Sequence, residues 1–106
     1  MINYEQFSQI ELRIATVVSA ERVEGSDKLL CIRVSLGAEK RQIIAGIGRK
    51  YAPEELIGKQ IVMVANLEPR MLMGMESRGM LLAGDSPDGP VVLVPGQEVP
   101  TGTKIK

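Results

Sequence analysis

From Leu12 to Val23 apolar and polar side chains alternate, the repeat expected of a strand that buries one face. Leu12, Ile14, Thr16, Val18 and Ala20 fall on one side, and Arg13, Ser19 and Glu21 on the other. Glu24-Gly25-Ser26-Asp27 supplies a turn, and alternation resumes over Leu29–Leu36. There Leu30, Ile32, Val34 and Leu36 face one way, and Arg33 and Ser35 the other. Gly37-Ala38-Glu39 turns the chain into a third strand near Lys40–Ala45, so the three runs predict a meander. The opening Tyr4–Ile10 reads as one or two helical turns.

Beyond the meander, Pro53 followed by Glu54-Glu55 marks the acid-rich start of a short helix that ends at Gly58. Lys59–Asn66 contains Ile61-Val62-Met63-Val64, a fourth strand, and Gly79–Gly84 makes a fifth. Ser86-Pro87-Asp88-Gly89 is turn chemistry, because Pro fixes φ and Gly accepts positive φ. It leads to Val91–Val94 and a Pro/Gly-punctuated tail. The order predicts an all-β protein: a five-stranded oligonucleotide-binding barrel (OB-fold) with a short helix between strands 3 and 4 and a C-terminal β extension. Other small β-barrels share this order. Residues 1–90 form the expected barrel core, and 91–106 the extension, which must pack on the barrel or on a partner.

The chain has 106 residues, a length suited to one domain of roughly 100–150 residues. Its lone cysteine cannot form an internal disulfide, which points to a reducing, cytoplasmic setting. No apolar run of membrane-spanning length occurs. The absence of histidine removes Ser-His-Asp triads, Cys-His pairs and His-ligated metals, so neither catalysis nor a cofactor or metal is expected. Gly46-Ile47-Gly48 lacks the third glycine of a dinucleotide fingerprint, and Cys31, in mid-strand, reads as an inert thiol.

Thirteen basic and thirteen acidic residues cancel overall but segregate along the chain. Residues 28–50 carry Lys28, Arg33, Lys40, Arg41, Arg49 and Lys50 against Glu39 alone, a net of +5, whereas residues 1–27 carry −3. Lys28, Arg33 and Arg41 are candidates to share one face of the meander as a phosphate-tracking patch; plain solvation of outward positions is the alternative. Only Tyr4, Phe7 and Tyr51 are aromatic, too few for a base-stacking platform, so any nucleic acid would be read by backbone shape, as in folded RNA. Met71, Met73, Met75 and Met80 cluster, and the first three alternate as if on one side. They fill a core or offer an adaptable docking surface. Asn66–Gly74 is too long for a tight hairpin and reads as a docking loop.

Val23-Glu24-Gly25-Ser26-Asp27-Lys28-Leu29-Leu30, and Ala65-Asn66-Leu67-Glu68-Pro69-Arg70 continuing to Gly74, Ser77, Gly79, Met80 and Ala83, resemble the tRNA-binding domain family. Ile2, Tyr4, Phe7, the run Glu39–Gln42, Pro53–Leu56 and the closing Pro100, Gly102 and Lys104 extend the resemblance over essentially the whole chain. Its wording is most like the C-terminal domain, or free-standing β subunit, of methionyl-tRNA synthetase. The resemblance implies a non-catalytic OB-fold homodimer that binds the outer corner of folded tRNA by shape and lends affinity to a synthetase chain. It implies that Lys28 contacts phosphate, that Asn66 and Arg70 sit at or beside the surface, and that Ser77 and Met80 line it. Arg33 and Arg41 are added from the charge pattern alone. The tail after Val91 would supply dimer contact. Where many relatives carry Lys or Arg, this chain has Met71-Leu72-Met73, which should weaken binding and flatten its salt dependence. Two other readings stand beside this one: a homodimerisation module with incidental RNA binding, and a chaperone-like binder of unfolded chains.

Overall fold

A computed structural model describes residues 1–106. The chain opens with helix α1 (Tyr4–Phe7), whose Asn3 side chain accepts the Gln6 N–H while the Gln6 side chain accepts the Asn3 N–H. Strands β1 (Leu12–Arg22), β2 (Leu30–Ser35) and β3 (Lys40–Ala45) form the expected meander. Helix α2 (Pro53–Leu56) and strand β4 (Gln60–Val64) follow. Strands β1 and β4 pair antiparallel through Leu12–Thr16, and β1 and β2 through Thr16–Arg22, so β1 serves two ladders in succession.

Residues Arg70–Leu72 (β5) and Met75–Ser77 (β6) form a separate two-stranded hairpin. Strand β7 (Met80–Leu81) returns to β4, giving the order β3-β2-β1-β4-β7. The Arg78 N–H donates to the Gln42 carbonyl at 2.8 Å, drawing the two ends of this sheet together into a nearly closed five-stranded barrel. Ala83–Ser86 (β8) and Gly89–Val92 (β9) form a hairpin across the Ser86–Gly89 turn, and Lys104–Ile105 (β10) pairs with β1.

Alternation in β2 is realised as read: Leu30, Ile32 and Val34 are fully buried and Arg33 is exposed. They meet Ile43, Ile61 and Met63 inside the barrel, and Leu56 of α2 is buried in the same cluster. Each such side chain contributes roughly 1.5–3 kcal/mol through removal of apolar surface from water. The face expected in β1 is inverted. Ala15 and Val17 point into the core, and the bulge that follows, between Val17 and Ser19, leaves Val18 exposed and returns Ala20 to the core side.

The fifth strand also differs from expectation, breaking at Leu82 into β7 and β8. Of the segment read as a long docking loop, Asn66–Pro69 carries no helix or strand, whereas Arg70–Gly74 forms the first half of the β5–β6 hairpin, turned by Met73 (φ 52°) and Gly74 (φ 78°), both left-handed as a two-residue turn requires. The three alternating methionines therefore do not share a side. Met71 and Met73 are exposed, whereas Met75 and Leu72 pack on Val23, Cys31 and Ile44. The final segment packs on its own barrel. Gln60 exchanges two hydrogen bonds with the Val99 backbone, Gly102 N–H donates to the Ile14 carbonyl, and Val92 joins the core. A Cβ on Gly102 would lie 2.2 Å from the Leu36 carbonyl oxygen, so only glycine fits. No helix is long and apolar enough to cross a membrane.

Candidate nucleic-acid interface

Lys28 sits at the end of the β1–β2 loop, held by a local network. Ser26 Oγ accepts the backbone N–H groups of Lys28 (3.2 Å) and Leu29 (3.0 Å). The Gly48 N–H donates to the Lys28 carbonyl at 2.7 Å. The Lys28 stem lies across Gly46, where a Cβ would stand 2.9 Å from Lys28 Cε, and a Cβ on Gly48 would stand 2.8 Å from the Lys28 carbonyl oxygen. Gly46-Ile47-Gly48 is thus the seat of this lysine, a role that its sequence context did not disclose.

Across from this loop, the β5–β6 hairpin is fastened to β3. Ser77, 5 % exposed, accepts the Ile44 N–H through Oγ at 2.9 Å and donates to the Gly79 carbonyl at 3.2 Å. Gln42 Nε2 donates to the Glu76 carbonyl at 3.0 Å. The hairpin turn reaches the β1–β2 loop, where the Met73 methyl would lie 3.5 Å from a Cβ on Gly25.

Between these elements runs a groove of about 490 Å³ that brings Lys28, Arg70 and Met80 together over Leu29, Leu72 and Leu82. A smaller cavity beneath Arg70 and Met80 reaches Ser77. Lys28 also walls a second cavity of about 260 Å³, shared with Arg49 and Lys50. Lys28, Arg70 and Lys50 are exposed and none is ion-paired, whereas Arg49 bonds Asp27 at 3.2 Å and holds that carboxyl below its ordinary pKa by hydrogen bond and charge. The Lys50 ammonium donates only to the Asp88 carbonyl, at 3.3 Å. Lys50 belongs to the positive run; the Gly48–Lys28 backbone bond brings its segment beside Lys28, and the β8–β9 turn closes the cavity.

The proposed single patch of Lys28, Arg33 and Arg41 does not form. Cross-strand partners share a sheet face, and Arg33 faces Gln42 while Arg41 faces the fully buried Val34. Arg41 instead donates to the Ala65 carbonyl (2.8 Å) and pairs with Glu39 (3.1 Å), which lowers the Glu39 pKa. Asn66, two residues past β4, is outside the groove lining; it accepts the Glu11 N–H (2.8 Å) and donates to the Gln9 carbonyl (2.7 Å). Burial, with a smaller contribution from Glu21, pushes the Cys31 thiol up, as an inert side chain requires.

A groove rimmed by unpaired cations on an OB-type barrel is a phosphate-compatible surface. Residues 12–104 match a family model described as "Putative tRNA binding domain". The chain belongs to this tRNA-binding domain family. It is 55% identical over 106 residues to the methionine–tRNA ligase of Methanothrix thermoacetophila, covering 100% of this chain and 16% of that protein. The chain thus spans about one-sixth of the length of the curated relatives it matches. The tRNA-binding domain fold superposes on a methionyl-tRNA synthetase-related protein from Pyrococcus horikoshii with a TM-score of 0.94 at 33% identity, covering 100% of this chain and 98% of the other. It also superposes on the chaperone CsaA of Bacillus anthracis with a TM-score of 0.91 at 37% identity, covering 100% and 99%.

Proposed function

We propose that this tRNA-binding domain holds folded tRNA through shape and phosphate contacts, without chemistry of its own, and adds affinity to methionyl-tRNA synthetase as its C-terminal domain or a separate subunit. The observation that carries this reading is the convergence of Lys28, Arg70 and Lys50, cations without carboxylate partners, on adjoining concavities of the barrel. Such groups neutralise phosphates and release counterions, giving affinity that is indifferent to sequence and sensitive to salt. Arg33, exposed on β2 outside these concavities, is a further cation open to phosphate. Ser77 acts beneath the groove by fixing the hairpin, and Asn66 acts from outside it by joining the segment after β4 to Glu11 and Gln9.

The chain also exposes Ile2 and Tyr4 at its N-terminus, beside a mixed groove in which Phe7, Ile10, Leu12 and Ile105 lie among Glu11, Asn66 and Lys104. That face supports a homodimer, with the C-terminal segment contributing through Ile105. Titration of the domain with one folded tRNA and with an unstructured RNA of equal length, across salt, tests the proposal. Preference for the folded tRNA with steep salt dependence is expected. Equal, feeble binding to both would leave a dimerisation module, and sedimentation at micromolar concentration tests the dimer separately.

A further inference from the structure

The groove between the β1–β2 loop and the β5–β6 hairpin is built unlike the rest of the cationic surface. Its lining contains no Asp or Glu, and apart from Lys28 and Arg70 it carries no polar side chain. Its two cations come from different elements, one before β2 and one at the start of β5, with apolar surface between them. Met80 is 47% exposed there, an unbranched thioether on an otherwise aliphatic floor. A volume of about 490 Å³ lies within the roughly 300–1,000 Å³ range of small-molecule sites.

We propose that this groove seats one unstacked nucleobase of the tRNA, laid on Met80 and Leu72 while Lys28 and Arg70 hold the phosphates flanking it. The inference rests on the tRNA-binding reading above and adds a contact which pure shape recognition lacks. A nucleotide fits the charge arrangement because its flat apolar face is bracketed by anions. An apolar peptide segment has no such fixed bracket. With few polar groups in the lining, the seat accepts any base: it reads that a base is unpaired, not which base it is. Methionine, adaptable and polarisable, takes the place that an aromatic ring fills in other single-strand binders.

The test is a titration of the domain with a folded tRNA and with versions carrying one abasic nucleotide at each unpaired position of the corner. One abasic position should weaken binding about tenfold, at the low end of base-contact energies, while exchanging the base there should change little. Met80→Ala and the shape-conserving Met80→Gln should lose a similar factor on intact tRNA and nothing more on that abasic tRNA. The salt slope should stay at the parent value, because no charge is removed.

If every abasic tRNA binds like the intact one, or if the Met80 and abasic losses simply multiply, the base seat is overturned while steep, tRNA-selective binding still upholds the broader reading. If intact tRNA is not preferred over unstructured RNA at all, both fall. Binding of a carboxymethylated unfolded polypeptide that Met80→Gln abolishes, with tRNA affinity unchanged, would assign the groove to protein chains and also overturn the seat.

Discussion

Ser77 Oγ accepts the backbone N–H of Ile44 at 2.9 Å, a buried side-chain bond that, with that of Gln42 to the Glu76 carbonyl, ties the β5–β6 hairpin to β3. Ile44 would otherwise carry a buried donor without a partner, since the hairpin and not a neighbouring strand covers it. Ser77→Ala should destabilise the domain by about 1–3 kcal/mol, the usual penalty for an orphaned buried donor. Urea unfolding measures it. Loss of the hairpin's alignment should also lower tRNA affinity, since Arg70 is carried on the first strand of the same hairpin.

Lys28 and Arg41 should separate cleanly. Lys28→Ala removes an unpaired surface cation and should reduce the slope of log affinity against log salt by about one while sparing stability. Arg41→Ala breaks the bonds to Ala65 and Glu39, so unfolding should be easier by about 1–3 kcal/mol, with the salt slope retained. Parallel tRNA titrations and denaturation curves decide. An unchanged slope for Lys28→Ala would remove that residue from the interface.

The two glycines under Lys28 differ in what a methyl group would strike. At Gly48 it meets the Lys28 carbonyl at 2.8 Å and the Asp27 carbonyl at 3.1 Å, both backbone. Gly48→Ala should therefore cost about 1–3 kcal/mol of stability and displace Lys28. At Gly46 it meets Lys28 Cε, which can swing aside. Gly46→Ala should keep the melting temperature and lose part of the tRNA affinity.

Acid should weaken the fold through Asp27 and Glu39. Arg49 and Arg41 respectively depress their pKa values below the ordinary carboxylate range, first by hydrogen bonding and then by charge. A depressed carboxylate stabilises the folded state above its unfolded pKa, about 3.9 for Asp and 4.3 for Glu, and that contribution fades as pH falls through the folded value. Stability should thus decline below about pH 4, and the difference between Asp27→Asn and the parent should vanish in strong acid. Both carboxylates are exposed, so added salt should shrink the effect, more for Asp27–Arg49 than for Glu39 beside the half-buried Arg41. Urea midpoints collected from neutral to acid pH check the sign.

What the sequence determined by itself was local. Alternation in Leu30–Leu36, the acid-rich proline start at Pro53 and the turn at Ser86–Gly89 each carry their conformation in neighbouring residues, and each is found where the pattern put it. The Asp-Lys-Leu and Asn-Leu-Glu-Pro-Arg segments likewise marked the family before any coordinates. Tertiary structure decided the rest, because the deciding contacts join residues far apart in the chain. The bulge at Val18 changes which face of β1 meets the core between its β4-paired and β2-paired halves, so that Ala15 and Val17 before it and Ala20 after it all turn inward. The Met-rich segment becomes a hairpin because Ile44 and Gln42 offer it bonds more than thirty residues away. Arg33 and Arg41 part because register, not charge, assigns their faces, and the groove exists only where the lysine loop, the hairpin and β7 converge.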